Sequence, residues 1–217
     1  LQTLKSKGFK AIVGLKPRRQ QDIIERMKIA ANAGVVAFTI DLDSAGRAAR
    51  ATKGQTVEPK TPEQLRELVK ASPLPLFFKG ILTTDEALLC LNAGAAGIVV
   101  SNHGGRVLAD EPGTAEVLPA IADAIHGRCM ILVDGCVKRG TDVEKYIALG
   151  ADACLAGRHF VRGAHGALAD GVELFANTIR NELAVAMTLT GAAKVKDINR
   201  KMIRMTTPPP LAFGVPA

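Results

Sequence analysis

The chain is poor in aromatic residues: among 217 residues there are seven Phe, one Tyr and no Trp. Its core must therefore be aliphatic. Proteins that bind single-stranded nucleic acid stack bases on aromatic side chains set among basic residues, and no basic run with interleaved aromatics is present. The net charge of +7 and the isoelectric point near 9.4 nevertheless favour anionic partners, including phosphate-bearing cofactors, nucleic acid and acidic membrane.

The sequence also lacks the patterns of a disulfide framework, a zinc site or a membrane span. Its four cysteines are Cys90, Cys129, Cys136 and Cys154, and they have no CxxC spacing. Three of the four lie in or beside apolar runs, which indicates small core residues. There is no stretch of 18 apolar residues and no visible signal peptide, so a cytoplasmic protein without a bound metal is expected. The chain starts at Leu1 rather than Met, and its N-terminus is expected to be incomplete.

Six short apolar runs alternate with stretches whose apolar residues recur at helical spacing. The predicted strands are Lys10–Leu15, Val35–Asp41, Leu74–Phe78, Gly97–Ser101, Met130–Val133 and Ala153–Ala156. Helices are predicted at 20–33, from Thr61, at 84–92, 114–126 and 141–149, and, as one long helix or two, at 167–189. Continuous apolar strands that alternate with helices predict a parallel sheet covered on both faces.

Two α/β architectures fit this pattern. Similar helix-to-strand turns recur at Gly34, Gly94 and Gly150, which suits the repeated units of a (β/α)₈ TIM barrel. A doubly wound sheet is the alternative, but the first strand lacks the Gly-x-Gly-x-x-Gly turn of a dinucleotide-binding domain. We predict one barrel domain over residues 1–205, followed by a proline-rich tail over 206–217.

The run from Ile98 to Arg106 enters a polar turn directly from a buried strand, with the sequence Ser-Asn-His-Gly-Gly-Arg at its end. His103 can exchange a proton near neutral pH, and Arg106 offers a planar fork of donors to a carboxylate or phosphate. The alternative for such a stretch taken alone is a tight turn with a surface histidine and a solvated arginine.

In a barrel the carboxyl ends of all strands meet on one face. The polar residues found there are Thr39, Asp41, Lys79, Ser101, His103, Arg106, Asp134 and Arg158. The loop from Asp134 to Gly140 precedes a helix, and Gly157 with Arg158 ends the last strand, so a phosphate group is plausible there. Lys138 and Arg158 would be its counter-charges.

Several of these motifs occur in the order of one known family. They are Lys79-Gly80-Ile81, Ser101–Arg106, Asp134-Gly135, Arg139–Val143, Ala148–Ala151 and Gly157-Arg158. From about Val35 to Met187 the chain resembles the FMN-dependent α-hydroxy-acid oxidases and dehydrogenases, which include glycolate oxidase, lactate oxidase and mandelate dehydrogenase. The resemblance implies FMN, oxidation of a small L-2-hydroxy acid to the 2-oxo acid, a homo-oligomer (a tetramer), and a TIM barrel whose first two strands are missing from this chain.

The resemblance also implies roles for individual residues. His103 matches the catalytic base, Asp41 the aspartate that supports it, and Arg106 the arginine that holds the substrate carboxylate. Lys79 matches the lysine that stabilises negative charge on the reduced flavin. The expected flavin contacts are Thr39 and Ser101, and the expected contacts to the ribityl chain and phosphate are Asp134, Gly135, Gly157 and Arg158.

The chain departs from the family pattern at a few positions. Cys136 stands where a second glycine is usual, Lys138 where an arginine is usual, and Lys16 about where an active-site tyrosine is expected. These changes motivate an alternative, a degenerate member that binds FMN or a phosphorylated ligand without turnover. A basic nucleic-acid-binding or scaffold protein is a third hypothesis; it accounts for the charge but not for the Ser101–Arg106 motif, and we expect neither a nucleic-acid nor a membrane partner.

Overall fold

The six apolar runs form one sheet in the computed structural model, which describes residues 6, 8–46, 56–125 and 127–206. The strands are β1 (Ile12–Leu15), β2 (Ala37–Asp41), β3 (Leu76–Ile81), β4 (Gly97–Val100), β5 (Met130–Val133) and β6 (Ala153–Cys154). All adjacent strands are parallel, and their spatial order is the chain order. Because a doubly wound sheet reverses its strand order at a switch point, this order excludes that alternative and is that of consecutive βα units of a TIM barrel.

The helices cover the outer face of the sheet. They are α1 (Gln20–Ala31), α2 (Pro62–Ala71), α3 (Thr84–Asn92), α4 (Thr114–Ile125), α5 (Gly140–Ala148) and α6 (Arg158–Thr190). Short 3₁₀ turns occupy Leu42–Gly46, Val195–Asp197 and Arg200–Met202. Most of the predicted tail lies outside the described residues.

Several predicted boundaries need correction. Strands β1 and β2 each begin two residues later than predicted, and β6 ends two residues earlier. Strand β3 begins at Leu76 rather than at Leu74 and continues to Ile81, since Pro75 cannot donate a ladder hydrogen bond. Helix α6 begins at Arg158, not at residue 167, and non-helical dihedral angles at Ala167 and Leu168 divide it into two helical parts.

The two faces of the sheet pack differently. On the outer face, the main core with the helices contains fully buried aliphatic side chains such as Ile131 and also the aromatic Phe38 and Phe78. The core is therefore not purely aliphatic, which differs from the expectation based on the low aromatic content. On the inner face, a smaller apolar cluster contains Phe77 and Leu132. Because side chains alternate along a strand, residues two positions further along, such as Lys79 and Asp134, continue the inner face. This face therefore changes from apolar to polar at the carboxyl ends of the strands.

Both lateral edges of the sheet are unpaired in the described part of the chain, where β1 pairs with β2 and β6 pairs with β5. Ile12 on β1 is 47% exposed, whereas Ile98 on the central strand β4 is fully buried. The six strands therefore form an open arc of a barrel. None of the described helices combines the length and apolar character needed to cross a membrane.

Candidate active site

A cavity of about 390 Å³ opens at the carboxyl ends of β3 to β6. The structure brings together in its lining the following predicted site residues: Lys79, His103, Arg106, Asp134, Gly135, Lys138, Gly157 and Arg158. Thr39 and Asp41, which were predicted to belong to the site, lie on β2 outside this lining. Ser101 is completely buried directly beneath it.

His103 contacts Asp43, and not Asp41 as predicted. His103 Nδ1 lies 2.8 Å from Asp43 Oδ2, and the two side chains are 12% and 9% exposed. Asp41 instead forms an ion pair with Lys16. When Nδ1–H donates to Asp43, Nε2 keeps its lone pair and can accept a proton.

Gly80 makes the Asp43 contact possible. Its φ is +95°, and a Cβ atom there would lie 2.5 Å from Asp43 Cβ. The ladder between β3 and β4 also shifts register between Lys79 and Ile81. The 3₁₀ turn that carries Asp43 can therefore pack directly on β3, and the Lys-Gly dipeptide is the sequence signal that could have indicated this close approach.

Ser101 fixes both the lysine and the histidine. Its Oγ accepts hydrogen bonds from Lys79 Nζ at 2.7 Å and from the His103 backbone N–H at 3.1 Å. The Lys79 ammonium also lies 3.2 Å from Asp134 Oδ2. Two lone pairs allow one hydroxyl oxygen to accept both bonds, so the buried Ser101 side chain ties the Lys79 ammonium to the backbone of His103.

The loop after β4 is preformed. His103 has a φ of +53°, a value that histidine adopts more readily than most non-glycine residues. Gly104 follows with a φ of +67°, and its backbone N–H donates to Asn102 Oδ1 at 3.0 Å. Arg106, three positions after His103 in the same loop, is exposed and lines the cavity.

The lining of the cavity is strongly cationic. Arg158 lies in the first turn of α6, and its guanidinium lies 3.0 Å from where a Cβ atom on Gly104 would stand. Arg162, one turn further along α6, also lines the cavity. Sequence reasoning missed Arg162 because it placed the start of the helix too late. Lys79, Arg106 and Lys138 add further positive charge to the lining. Among the described residues, Asp134 is the single acidic residue that lines the cavity. This excess of positive charge favours an anionic ligand.

Two further residues that sequence reasoning missed hold the loop after β5. The hydroxyls of Thr114 and Tyr146 lie 2.9 Å apart; Thr114 donates to the Asp134 carbonyl at 2.7 Å and Tyr146 to the Gly135 carbonyl at 2.8 Å. Burial raises the pKa of Tyr146, which keeps its phenol protonated as a donor. Gly135 has a φ of +122°, and a Cβ atom there would lie 2.3 Å from Thr114 Oγ1.

The lining fits a cofactor that carries both hydroxyl groups and a phosphate. Asp134 Oδ1 is buried without a hydrogen-bond partner among the described residues, and such an acceptor suits a ligand hydroxyl. Lys138, Arg158 and the backbone amides that begin α6 suit a phosphate.

The chain belongs to the FMN-dependent dehydrogenase family, whose model matches residues 5–205. Over 154 residues it is 42% identical to an L-lactate oxidase of Lactobacillus jensenii, and this alignment covers 71% of this chain and 37% of that protein. Over 142 residues it is 43% identical to a peroxisomal (S)-2-hydroxyacid oxidase of Arabidopsis thaliana, covering 65% of this chain and 38% of that protein.

A solved structure of mandelate oxidase with (S)-2-phenylpropionate superposes with a TM-score of 0.83 at 32% identity, covering 92% of this chain and 64% of that chain. Another, a mandelate oxidase mutant with a monooxide FMN adduct, gives a TM-score of 0.84 at 34% identity, with coverages of 92% and 65%. The predicted family, its FMN cofactor and the TIM-barrel fold are therefore confirmed. The chain matches little more than a third of the length of these curated relatives.

Proposed function

We propose that the protein binds FMN in the cavity and oxidises a small L-2-hydroxy acid to the corresponding 2-oxo acid. The observation that carries this proposal is the His103–Asp43 pair, 2.8 Å apart, in a cavity that Lys79 and Arg106 also line. The relatives named as oxidases of lactate and of (S)-2-hydroxy acids support the substrate class.

His103 is the proposed base. With Nδ1–H donating to Asp43, Nε2 takes the hydroxyl proton of the substrate, and the Asp43 carboxylate stabilises the imidazolium that results. Both side chains are mostly buried, so this charge stabilisation is less screened by water than at the surface.

Arg106 is the proposed carboxylate clamp. Its guanidinium can hold a carboxylate through two parallel hydrogen bonds. Because His103 and Arg106 belong to one short loop, such a clamp would bring the substrate hydroxyl to the base and fix the α-carbon for reaction.

FMN, when bound, would accept the α-hydrogen of the substrate together with the electron pair of the broken C–H bond. Lys79 would supply positive charge beside its ring, and Ser101 and Asp134 hold that ammonium in place. Asp134 Oδ1 would accept a hydrogen bond from a ribityl hydroxyl. Lys138, Arg158 and Arg162 would bind the phosphate.

An absorbance spectrum of the intact protein tests the proposal. After reconstitution with FMN, the protein should be yellow and should bleach anaerobically with L-lactate or glycolate, and His103→Ala should remove bleaching but not colour. A protein that takes up no FMN would contradict the proposal, as would a His103→Ala variant with unchanged turnover.

A second candidate function is binding without turnover. It is favoured by the phosphate loop, where Cys136 is exposed with a φ of +52° and Lys138 offers a point charge instead of a fork. A yellow protein that stays oxidised with every hydroxy acid of a panel would support this function over the first.

Arg162 provides a test of the cofactor orientation. Arg162→Ala should weaken FMN binding about tenfold, the effect of one charge-assisted contact, and leave riboflavin binding unchanged. Arg180→Ala, on the same helix with its guanidinium 3.1 Å from Asn177 Oδ1, is the matched control. Equal losses of affinity for FMN and riboflavin in Arg162→Ala would argue against a phosphate beside Arg162.

A further inference from the structure

Charged side chains alternate in sign across the inner face of the sheet. Lys16 follows β1, Asp41 ends β2, Lys79 lies in β3 and Asp134 follows β5. Lys16 forms an ion pair with Asp41, and Lys79 Nζ lies 3.2 Å from Asp134 Oδ2. The row therefore consists of two ion pairs side by side.

An ion pair between Asp41 and Lys79 is the alternative to this arrangement. Asp41 and Lys79 are register partners on adjacent parallel strands, about 4.8 Å apart and on the same face. Their side chains are 11% and 14% exposed, so water screens their attraction only partly. Lys79 nevertheless contacts Ser101 and Asp134 and lines the cavity.

We propose that Lys16 is a positioning residue: by neutralising Asp41, it keeps Lys79 on Ser101 and turned toward the cavity. Lys16 itself lies outside the cavity lining, so it acts through Asp41 and Lys79. The effect of Lys16 on catalysis rests on the proposed function.

Removal of Lys16 leaves the Asp41 carboxylate without its counter-ion. Among the described residues, Lys79 lies on the same face of the next strand as the register partner of Asp41, and a pair between the two would draw the Lys79 ammonium from Ser101 Oγ and from the cavity. If Asp41 is removed as well, its carboxylate no longer competes with Ser101 and Asp134 for the Lys79 ammonium. Substitution of Asp41 should therefore suppress the effect that substitution of Lys16 has on the position of the Lys79 ammonium.

The rate at which acetic anhydride labels Lys79 tests whether substitution of Asp41 cancels the effect of substituting Lys16. The rate is measured by mass spectrometry on the full chain without added cofactor. Lys16→Met should lower the Lys79 labelling rate about threefold, the effect expected of one partly screened ion pair. Asp41→Asn, Lys16→Met/Asp41→Asn and Lys16→Arg should label like the parent. Arg19→Met, which removes an exposed cation paired with Asp22, is the matched control.

Two results would overturn the proposal. One is a drop in urea stability of Lys16→Met with unchanged Lys79 labelling, which would show a structural ion pair. The other is equal labelling of Lys16→Met and the double variant. If Lys16→Met does not fold, Lys16→Gln takes its place in the same comparison.

Sulfite binding to the FMN-loaded protein is a second readout. Sulfite adds a negative charge to the flavin, so its affinity reports nearby positive charge. Lys16→Met should weaken sulfite binding about tenfold, and the double variant should restore it. A protein that takes up no FMN would contradict the proposed function and leave the labelling result standing; normal FMN uptake with unaltered labelling would contradict the present inference alone.

Discussion

At the scale of residues, the identity of the carboxylate beside His103 is the main difference between prediction and structure. Asp41 and Asp43 are two positions apart, a spacing that places both on one face of a strand. Strand β2, however, ends at Asp41, and Asp43 belongs to the 3₁₀ turn that follows. The turn brings Asp43 to His103 and leaves Asp41 beside Lys16.

Substitution of each aspartate by asparagine in turn separates the roles of Asp41 and Asp43. Asp43→Asn should lower kcat for the hydroxy acid about 10²-fold, because it removes the charge that stabilises the imidazolium and orients the base. Asp41→Asn should have a much smaller effect. Steady-state kinetics of the FMN-reconstituted protein measures both, and a greater loss in Asp41→Asn would contradict the assignment.

Glu111 is predicted to make stability depend on pH. Its Oε2 atom is buried without a hydrogen-bond partner among the described residues. Burial raises the pKa of Glu111, and the nearby Asp43 and Glu86 carboxylates raise it further, against the opposing effect of His103. The folded protein therefore holds this proton more tightly than the unfolded chain, and the free energy of unfolding falls as pH rises through the interval between the two pKa values.

Glu111→Gln should accordingly raise the free energy of unfolding at neutral pH and leave it unchanged in acid, where Glu111 is protonated in both states. Urea unfolding at the two pH values measures the difference. Glu25→Gln, at an exposed position of α1, is the control. A gain of equal size at both pH values would show that the effect is not electrostatic.

At the scale of elements, β3 joins the core to the site. Phe77 packs in the inner apolar cluster, Lys79 lines the cavity, and Gly80 allows the Asp43 turn to approach. Helix α6 has a similar double role, since its first turns carry Arg158 and Arg162. Its early start was not predicted because Gly157 and Arg158 also suit a loop at a strand end.

Gly80→Ala tests the role of the β3 irregularity. The added Cβ atom would lie 2.5 Å from Asp43 Cβ, at a φ of +95°, so the turn must move from His103. We expect about a tenfold or greater loss of kcat and about 1–3 kcal/mol less stability. Gly34→Ala, with a φ of +83° and open space around it, should show the backbone strain alone; equal loss of kcat in both variants would contradict the steric explanation.

At the scale of the whole molecule, the described part of the chain leaves two sheet edges unpaired and several large apolar side chains exposed on α6. Leu168, Leu174 and Leu189 are 79%, 68% and 81% exposed. Scattered exposed leucines are common, but several on one helix favour an interface.

We therefore expect the protein to be a homo-oligomer, with a tetramer as the form implied by the family resemblance. Light scattering coupled to size exclusion measures the mass directly. Leu174→Lys/Leu189→Lys should lower the measured mass if α6 forms the interface. A monomer in the parent protein at micromolar concentration would contradict the expectation.

Local patterns along the chain were enough to predict the parallel α/β class, most element positions and the loop that carries His103 and Arg106, because apolar periodicity, glycine stops and strand-end polarity are local signals. Three contacts became known only from the packing of the folded chain: Asp43 with the histidine, Lys16 with Asp41, and Arg162 with the cavity. Those contacts depend on how a turn, a strand irregularity and a helix start are oriented in space, and residues as far apart in the chain as Asp43 and His103 give no local signal of their meeting.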